Sequence, residues 1–381
     1  MGLTIEKHCM KKILGFDALR ALSVVLVILS HVGIIGSVSS PILKAFFTVF
    51  NANTGVTIFF VLSGFLITSL LISEYKSTGS ISIKNFFIRR ALRILPLYYL
   101  VVAMTMLIYL VGEFRNFPYV RFQTILHALT YTYNFIPSAL EKNFLSHLWS
   151  LAVEEQFYLL WPFVFFLLIG KTYRLVLFCI AFVACCFAFY FVSVNWGELQ
   201  GTFSLDRWFI PAAYPIIVGC LFALLINGVN ARERYAKVLS SPLALACSFI
   251  LVCSPLFLPQ TVSFVVHKLA IVLGIAGIIS WIFLNQSSLL VKHMDWGPIG
   301  YIGTISYGLY VWQGVLTGNG SYREIWFFPP PPLLGALLTF LVAPLSYHYF
   351  ERWFLVRKSR YSKDSVPVTV HSAANEHLQL R

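Results

Sequence analysis

The feature that most constrains this chain is the recurrence of long apolar runs almost free of charge. Ten such segments, each about twenty residues long, follow one another between turn residues or short charged stretches, at 14–36, 54–72, 94–111, 147–169, 173–194, 208–226, 242–258, 263–284, 299–316 and 333–354. About 20 consecutive apolar residues are what an α-helix needs to cross the hydrocarbon core of a bilayer. Composition agrees: a soluble domain carries about 25% charged residues, whereas this 381-residue chain has 11% charged and 58% hydrophobic residues and a mean hydropathy of +0.78. A globule of this composition has too little polar surface to stay in water, which excludes a cytosolic enzyme, a disordered chain and a secreted disulfide scaffold. The expected fold is all-α, a polytopic transmembrane helix bundle of about ten spans with no soluble catalytic domain.

Charge sets the orientation. An even number of spans puts both termini on one side, and counting loops from the N-terminus assigns nineteen Lys and Arg to that side against six on the other. The positive-inside rule then makes both termini cytoplasmic and the protein a multi-pass component of the cell inner membrane. Because the 28 Lys and Arg are dealt out between apolar segments, the formal charge of +13 reads as topology, and no nucleic-acid partner is expected. The chain divides into a cytoplasmic N-terminal segment (1–12), a transmembrane domain (13–355) and a polar cytoplasmic tail (356–381). A weaker apolar patch at 122–135 reads as an interfacial or re-entrant helix. The start mimics a signal peptide with small residues at 37–39, but Asp17, Arg20 and His31 have no use in a disposable leader. The seven cysteines lie mostly inside apolar runs without metal-ligand spacing, so neither a disulfide framework nor a metal site is expected.

An ionised side chain at mid-membrane costs about 2.5–3.5 kcal/mol even on the lenient insertion scale, so each one needs a reason. Arg20 and His31 are eleven residues apart. At ~100° per residue they share one helix face, separated by about 16 Å along the axis. Asp17 lies one turn before Arg20, where it can orient the guanidinium. The plainer reading is that Arg20 snorkels to the interface and His31 is a helix-end residue. In HLWSLAVEEQFYLLWP, Ser150, Glu154 and Tyr158 recur at one-turn intervals, with His147 seven residues before Glu154. Residue counting puts His31 and Glu154 at similar depth, where a carboxylate against the imidazole would suit a general base; a polar helix contact is the alternative. Arg89, Arg90 and Arg93 present three guanidinium groups on overlapping faces at the inner surface. They suit a bidentate clamp for an anionic cytoplasmic ligand, and equally the basic loop that topology alone requires.

FDALRA with His31 after it, GVTIFFVLSGFLI, RRALRILPLYY, HLWSLAVEEQFYLLWP, ISYGLYVWQ and LSYHYFERW together resemble the bacterial integral-membrane acyltransferase-3 family of carbohydrate O-acyltransferases. The resemblance covers nearly the whole chain. It implies a co-substrate rather than a bound cofactor, namely acyl-coenzyme A, usually acetyl-coenzyme A, and a glycan acceptor in the cell envelope or among exported polysaccharides or lipopolysaccharides, free or lipid-linked. It also implies His31 and Arg20 as central to the site, Arg89, Arg90 and Arg93 on the donor side and Glu154 as a second polar catalytic or structural group; taken with the spacing, His31, Arg20 and Glu154 are expected as the catalytic set, Arg20, Arg89, Arg90 and Arg93 on the donor, and Asp17, Ser150, Tyr158 and His147 as supporting residues. Many relatives have His where this chain has Gln313, which is therefore left out of the catalytic set. Some relatives carry a soluble hydrolase-like domain after the last helix, where a short tail is expected here. The rival reading is a secondary transporter with buried Arg, His and Glu at its substrate site; it predicts inverted repeats, and none is visible in the sequence.

Overall fold

The computed structural model describes residues 13–33, 39–113, 122–141, 143–193, 201–227, 232–258, 264–317 and 330–361. The expected segment 1–12, residues 37 and 38 of the leader-like site and residues 362–381 of the tail lie outside these. Among the described residues the fold is helical, and strand-type pairing is limited to an isolated bridge between Pro137 and Phe203. The first half holds α1 (Phe16–Val32), α2 (Pro41–Val49), α3 (Ala52–Thr78), α4 (Ile83–Glu113), α5 (Phe122–Leu129), α6 (Leu148–Leu168) and α7 (Thr172–Ser193). The second half holds α8 (Phe209–Ala212), α9 (Tyr214–Asn227), α10 (Arg232–Leu239), α11 (Pro242–Val252) and α12 (Phe264–Leu284). It closes with α13 (Leu289–Met294), α14 (Gly297–Thr304), α15 (Ser306–Thr317), α16 (Pro332–Ser346), a π-helical turn at Tyr347–Glu351 and α17 (Arg352–Lys358).

Six helical stretches are long and apolar enough to cross a membrane: Pro41–Thr78, Ile83–Val111, Leu148–Leu168, Thr172–Ser193, Val265–Leu284 and Pro332–Lys358. A seventh results if α10 and α11, bent by 66° at their junction, count as one span. The remaining expected segments are also helical but shorter or broken: α1 has 17 residues, α9 has 14, and 299–316 is interrupted at Ile305 between α14 and α15. Gly33, in the left-handed region at φ 80°, ends α1 ahead of the boundary that hydropathy alone suggests. The patch at 122–135 forms the short α5 followed by a single 3₁₀ turn at Tyr133–Phe135. Outward-facing apolar side chains such as Leu167 (77% exposed) and Phe191 (72%) have no place on a water-facing surface and suit contact with lipid.

α1 runs through the middle of the bundle, packed on α3, α14 and α15. Its first turn is held from outside the helix: Gln286 Oε1 accepts from the Leu14 amide at 2.9 Å and Asp295 Oδ1 from the Ala18 amide at 3.0 Å, taking up donors a helix start leaves open. Ser23 and Ser30 return their hydroxyls to the Leu19 and Leu26 carbonyls at 2.8 Å, so polar atoms enter the apolar interior already satisfied. α3 and α9 cross at two facing glycines. A Cβ on Gly64 would run into the Ile216 carbonyl, and one on Gly219 into that of Val61. Small residues at a crossing let backbones approach where no hydrophobic effect drives association. This close crossing holds α3, with Ser63 on it, deep in the bundle.

Candidate functional site

The site is a cavity of about 1120 Å³ between α1, α3, α4, α6 and α15, with α13 and α17 also contributing to its lining. Clefts for drug-sized ligands run about 300–1,000 Å³, so the space is large enough for a molecule of that size or somewhat above it. Eight of the ten residues expected from sequence line it: Asp17, Arg20, Arg89, Arg90, Arg93, Ser150, Glu154 and Tyr158.

One end of the cavity, near the α3–α4 turn, is cationic. Arg20 Nη1 is paired with Asp17 Oδ1 at 2.7 Å, one turn away as the spacing predicts. Arg89 Nη2 pairs with Glu74 Oε2 at 3.1 Å, and its Nη1 donates to the Tyr361 carbonyl at 3.0 Å. Arg90 lies over the rings of Phe86 (5.8 Å) and Tyr158 (5.3 Å), a stacking that favours a guanidinium over an ammonium. Arg93 sits in the electrostatic range of both Arg20 and Glu351. Tyr307 donates to the Ile94 carbonyl at 2.8 Å beside Pro96, the proline inside α4, and so ties α15 to the helix that carries the arginines. Lys292 and Lys358 add two further cations to the lining.

The middle of the cavity is acidic and hydroxylic. Tyr158 donates to Glu154 Oε1 at 2.5 Å and Ser63 donates to the same carboxylate oxygen, the two hydroxyl oxygens standing 3.0 Å apart. Glu155 also faces this space. One turn nearer the start of α6, Ser150 Oγ and the Tyr310 hydroxyl are 2.5 Å apart, and Tyr310 reaches the His147 carbonyl at 3.1 Å. Gln156, on the adjacent face, exchanges hydrogen bonds with Asn134 and donates to the Tyr131 carbonyl, which makes it a brace for the loop before α6.

His31 and His147 are not part of the cavity lining; they stand near each other beyond the Ser150–Tyr310 pair. His31 Nδ1 lies 2.7 Å from the Val27 carbonyl. A carbonyl only accepts, so Nδ1 carries the proton and Nε2 keeps its lone pair, the tautomer a base requires. The expected contact between His31 and Glu154 is not formed: among the described residues no hydrogen bond joins them, and the carboxylate goes to Ser63 and Tyr158. His31 is in the last turn of α1 and Glu154 in the second turn of α6. His147 is 4% exposed, its ring 5.7 Å from that of Tyr310, and Gly314 leaves room for it.

Three residues of the lining, Ser63, Tyr310 and Lys358, escape a linear reading, as does Glu351 in the electrostatic range of Arg93. Ser63 and Tyr310 lie inside two quoted motifs, FFVLSGFLI and ISYGLYVWQ, but their polar partners are 91 and 160 residues away in sequence. Glu351, buried at the π-helical turn in LSYHYFERW, accepts from Ser346 at 3.2 Å; π-turns recur at functional sites.

These features define an integral-membrane protein with a charged cavity between its helices, and comparison with known proteins identifies its kind. The model of the acyltransferase domain of the acyltransferase-3 family matches residues 13–351, and the chain belongs to that family. It is 29% identical over 378 residues to the peptidoglycan O-acetyltransferase OatA of Listeria monocytogenes, across 91% of this chain and 56% of the relative. It is 28% identical over 367 residues to YrhL of Bacillus subtilis, across 89% of this chain and 54% of the relative. The chain thus spans somewhat over half the length of the curated relatives it matches. No solved structure matches it.

Proposed function

We propose that this chain moves an acetyl or similar acyl group from acyl-coenzyme A to a hydroxyl of a cell-envelope glycan, as a multi-pass protein of the cytoplasmic membrane with about ten spans and both termini inside. One observation carries the reading: a single cavity joins a cluster of arginines and lysines at one end to the Glu154, Ser63, Tyr158, Ser150 and Tyr310 group further in. The cationic end suits the phosphates of coenzyme A, which arginine binds in bidentate fashion. The inner end suits the thioester. The name of the Listeria relative makes peptidoglycan the first acceptor to try. Family membership favours acyl transfer over the transporter alternative.

In this mechanism the acceptor hydroxyl gives its proton to Nε2 of His31 as its oxygen bonds to the thioester carbonyl carbon. Tetrahedral collapse then breaks the C–S bond, and the departing thiolate takes the proton back from the imidazolium. Such a base contributes about 10²–10⁴-fold, so hydroxyl donors near the carbonyl and correct positioning supply the rest. Glu154, held by two hydroxyls, keeps the polar wall of the cavity in place. The test is thiol release from acetyl-coenzyme A by the purified protein, with and without peptidoglycan fragments or a lipid-linked glycan, combined with mass spectrometry of the glycan. Acceptor-dependent thiol release with ester formation is expected; a donor left intact in the presence of every glycan overturns the reading.

A further inference from the structure

The hydroxyl side chains that line the cavity on α3, α6 and α15 do not hold their protons equally. Ser63 and Tyr158 donate to the Glu154 carboxylate. Tyr307 donates to the Ile94 carbonyl, next to Arg93, and Ser306 is its neighbour at the start of α15, level with the arginines. Ser150 and Tyr310 differ. Their oxygens are 2.5 Å apart, and both reach one further acceptor, the His147 carbonyl, at 3.2 Å from Ser150 and 3.1 Å from Tyr310. One hydrogen lies between the two hydroxyl oxygens, which leaves the other for that carbonyl. His147 is the N-cap residue of α6, and an N-cap carbonyl already accepts the first amide of its helix. The hydroxyl proton can therefore leave it without stranding a buried acceptor.

Position gives that proton a use. Along α15, Tyr307 is tied to Ile94, Tyr310 stands one turn further on beside Ser150, and Gly314 one turn beyond that, against His147. At 1.5 Å per residue, Tyr310 lies about 4.5 Å past Tyr307 and about 6 Å short of Gly314. A thioester whose phosphates rest on the arginines, and whose carbonyl is to meet an acceptor at the histidines, passes this pair. We propose that Tyr310 is a catalytic residue that donates its phenolic hydrogen to the oxyanion of the tetrahedral intermediate, with Ser150 donating to Tyr310 in turn; this rests on the reading of acyl transfer from a thioester. As the acceptor oxygen bonds to the thioester carbon, the carbonyl π electrons move onto oxygen, and Tyr310 exchanges a neutral carbonyl for a charged one. A hydrogen bond to an ionised acceptor is about twice as strong as one between neutral groups. Because it strengthens only as charge develops, it speeds the chemistry rather than tightening binding. When the C=O re-forms, the C–S electrons leave with the thiolate and Tyr310 keeps its proton throughout. A phenol is a stronger donor than an alcohol, and the Ser150 hydroxyl behind it strengthens it further.

The experiment compares acetyl-coenzyme A with its dithioester analogue, in which sulfur replaces the carbonyl oxygen, as acyl donors for the wild-type protein, Tyr310→Phe and Ser150→Ala. Tyr310→Phe keeps the ring against Phe59 and His147. It is expected to lower kcat with acetyl-coenzyme A by about 10²–10³-fold and to leave the KM of that donor within about twofold. Ser150→Ala should cost less than about tenfold, since the phenol remains in place. Sulfur accepts hydrogen bonds weakly, so with the dithioester the loss in Tyr310→Phe should shrink to under about tenfold. A merely structural role for the phenol would give the same loss with both donors. That result, an unchanged kcat in Tyr310→Phe, or an acetyl group found on Tyr310 by mass spectrometry of the quenched wild type overturns this role and leaves acyl transfer standing. Failure of the wild type to turn over acetyl-coenzyme A with any glycan overturns the acyl-transfer reading, and this inference with it.

Discussion

Gly314 on α15 stands so close to the imidazole of His147 that a Cβ on the glycine would overlap the ring. The ring is buried against Tyr310, whose hydroxyl contacts Ser150 on the cavity wall, so displacement of His147 reaches the site. Gly314→Ala is expected to lower stability by about 1–3 kcal/mol, the cost of overpacking, and to reduce turnover. In a His147→Ala background the same substitution should cost at least about 1 kcal/mol less, since the atoms it strikes are gone. Thermal unfolding of the four proteins in detergent measures the coupling; equal costs in the two backgrounds would show that the glycine serves something other than the ring.

His31→Ala is expected to reduce acyl transfer by about 10²–10⁴-fold while expression and unfolding temperature stay near wild type. The side chain is half-buried and, among the described residues, its hydrogen bond is to its own helix, at the Val27 carbonyl, so little packing is lost. Turnover per folded molecule decides the matter, and wild-type turnover in this variant removes His31 from the mechanism.

Glu154 accepts hydrogen bonds from the hydroxyls of both Ser63 and Tyr158, whose oxygens are 3.0 Å apart. Ser63→Ala or Tyr158→Phe leaves the carboxylate one donor, and turnover should fall by less than about tenfold. The double variant leaves it none, and its loss should exceed the product of the single losses, because a charged acceptor stripped of partners is far costlier than one partly served. Multiplicative effects would mean that the two hydroxyls act independently of the carboxylate.

Arg89 and Arg93, equivalent by spacing alone, are distinguished by their partners. Arg89 is engaged with Glu74 and the Tyr361 carbonyl, whereas Arg93 faces the cavity beside Arg20. Arg93→Ala is expected to raise donor KM at least about tenfold, with Arg89→Ala producing a smaller rise and a lower unfolding temperature. Arg20→Lys should not recover donor affinity if two parallel hydrogen bonds are needed. Unchanged donor KM across these variants returns the cluster to a purely topogenic role.

What could be read from the sequence was local. The Asp17–Arg20 pair and the Glu154–Tyr158 contact span three and four residues on one helix, and helical periodicity alone brings each together. The long apolar segments fell on helix because no other structure satisfies the backbone in such surroundings. The contacts that complete the site are not local. Ser63 meets Glu154 because Gly64 and Gly219 let α3 and α9 cross closely, and Tyr310 meets Ser150 because α15 returns to α6 late in the chain. His31 does not meet Glu154, whose carboxylate is taken by Ser63 and Tyr158 from within the bundle; Ile34 and Ile35 extend the apolar run past Gly33, where α1 ends.

The last prediction concerns sidedness. If the positive-inside count is right, cysteines placed singly at Ser80, in the α3–α4 turn, and at Ala139, in the exposed loop before α6, label from opposite faces of the membrane. The cationic end of the cavity then opens to the cytoplasm, where coenzyme A is found. His31 and His147, beyond the Ser150–Tyr310 pair, lie towards the other face. Arg20 and His31 are separated by about 16 Å along α1, roughly the reach of the pantetheine arm, so the thioester can pass between the helices while the phosphates stay with the arginines. In oriented vesicles, labelled acetyl-coenzyme A supplied on the cytoplasmic face should acylate a glycan confined to the opposite face. Acylation only when donor and acceptor share the cytoplasmic face would place the chemistry at the inner end of the cavity, leaving Glu154 rather than His31 as the base within reach.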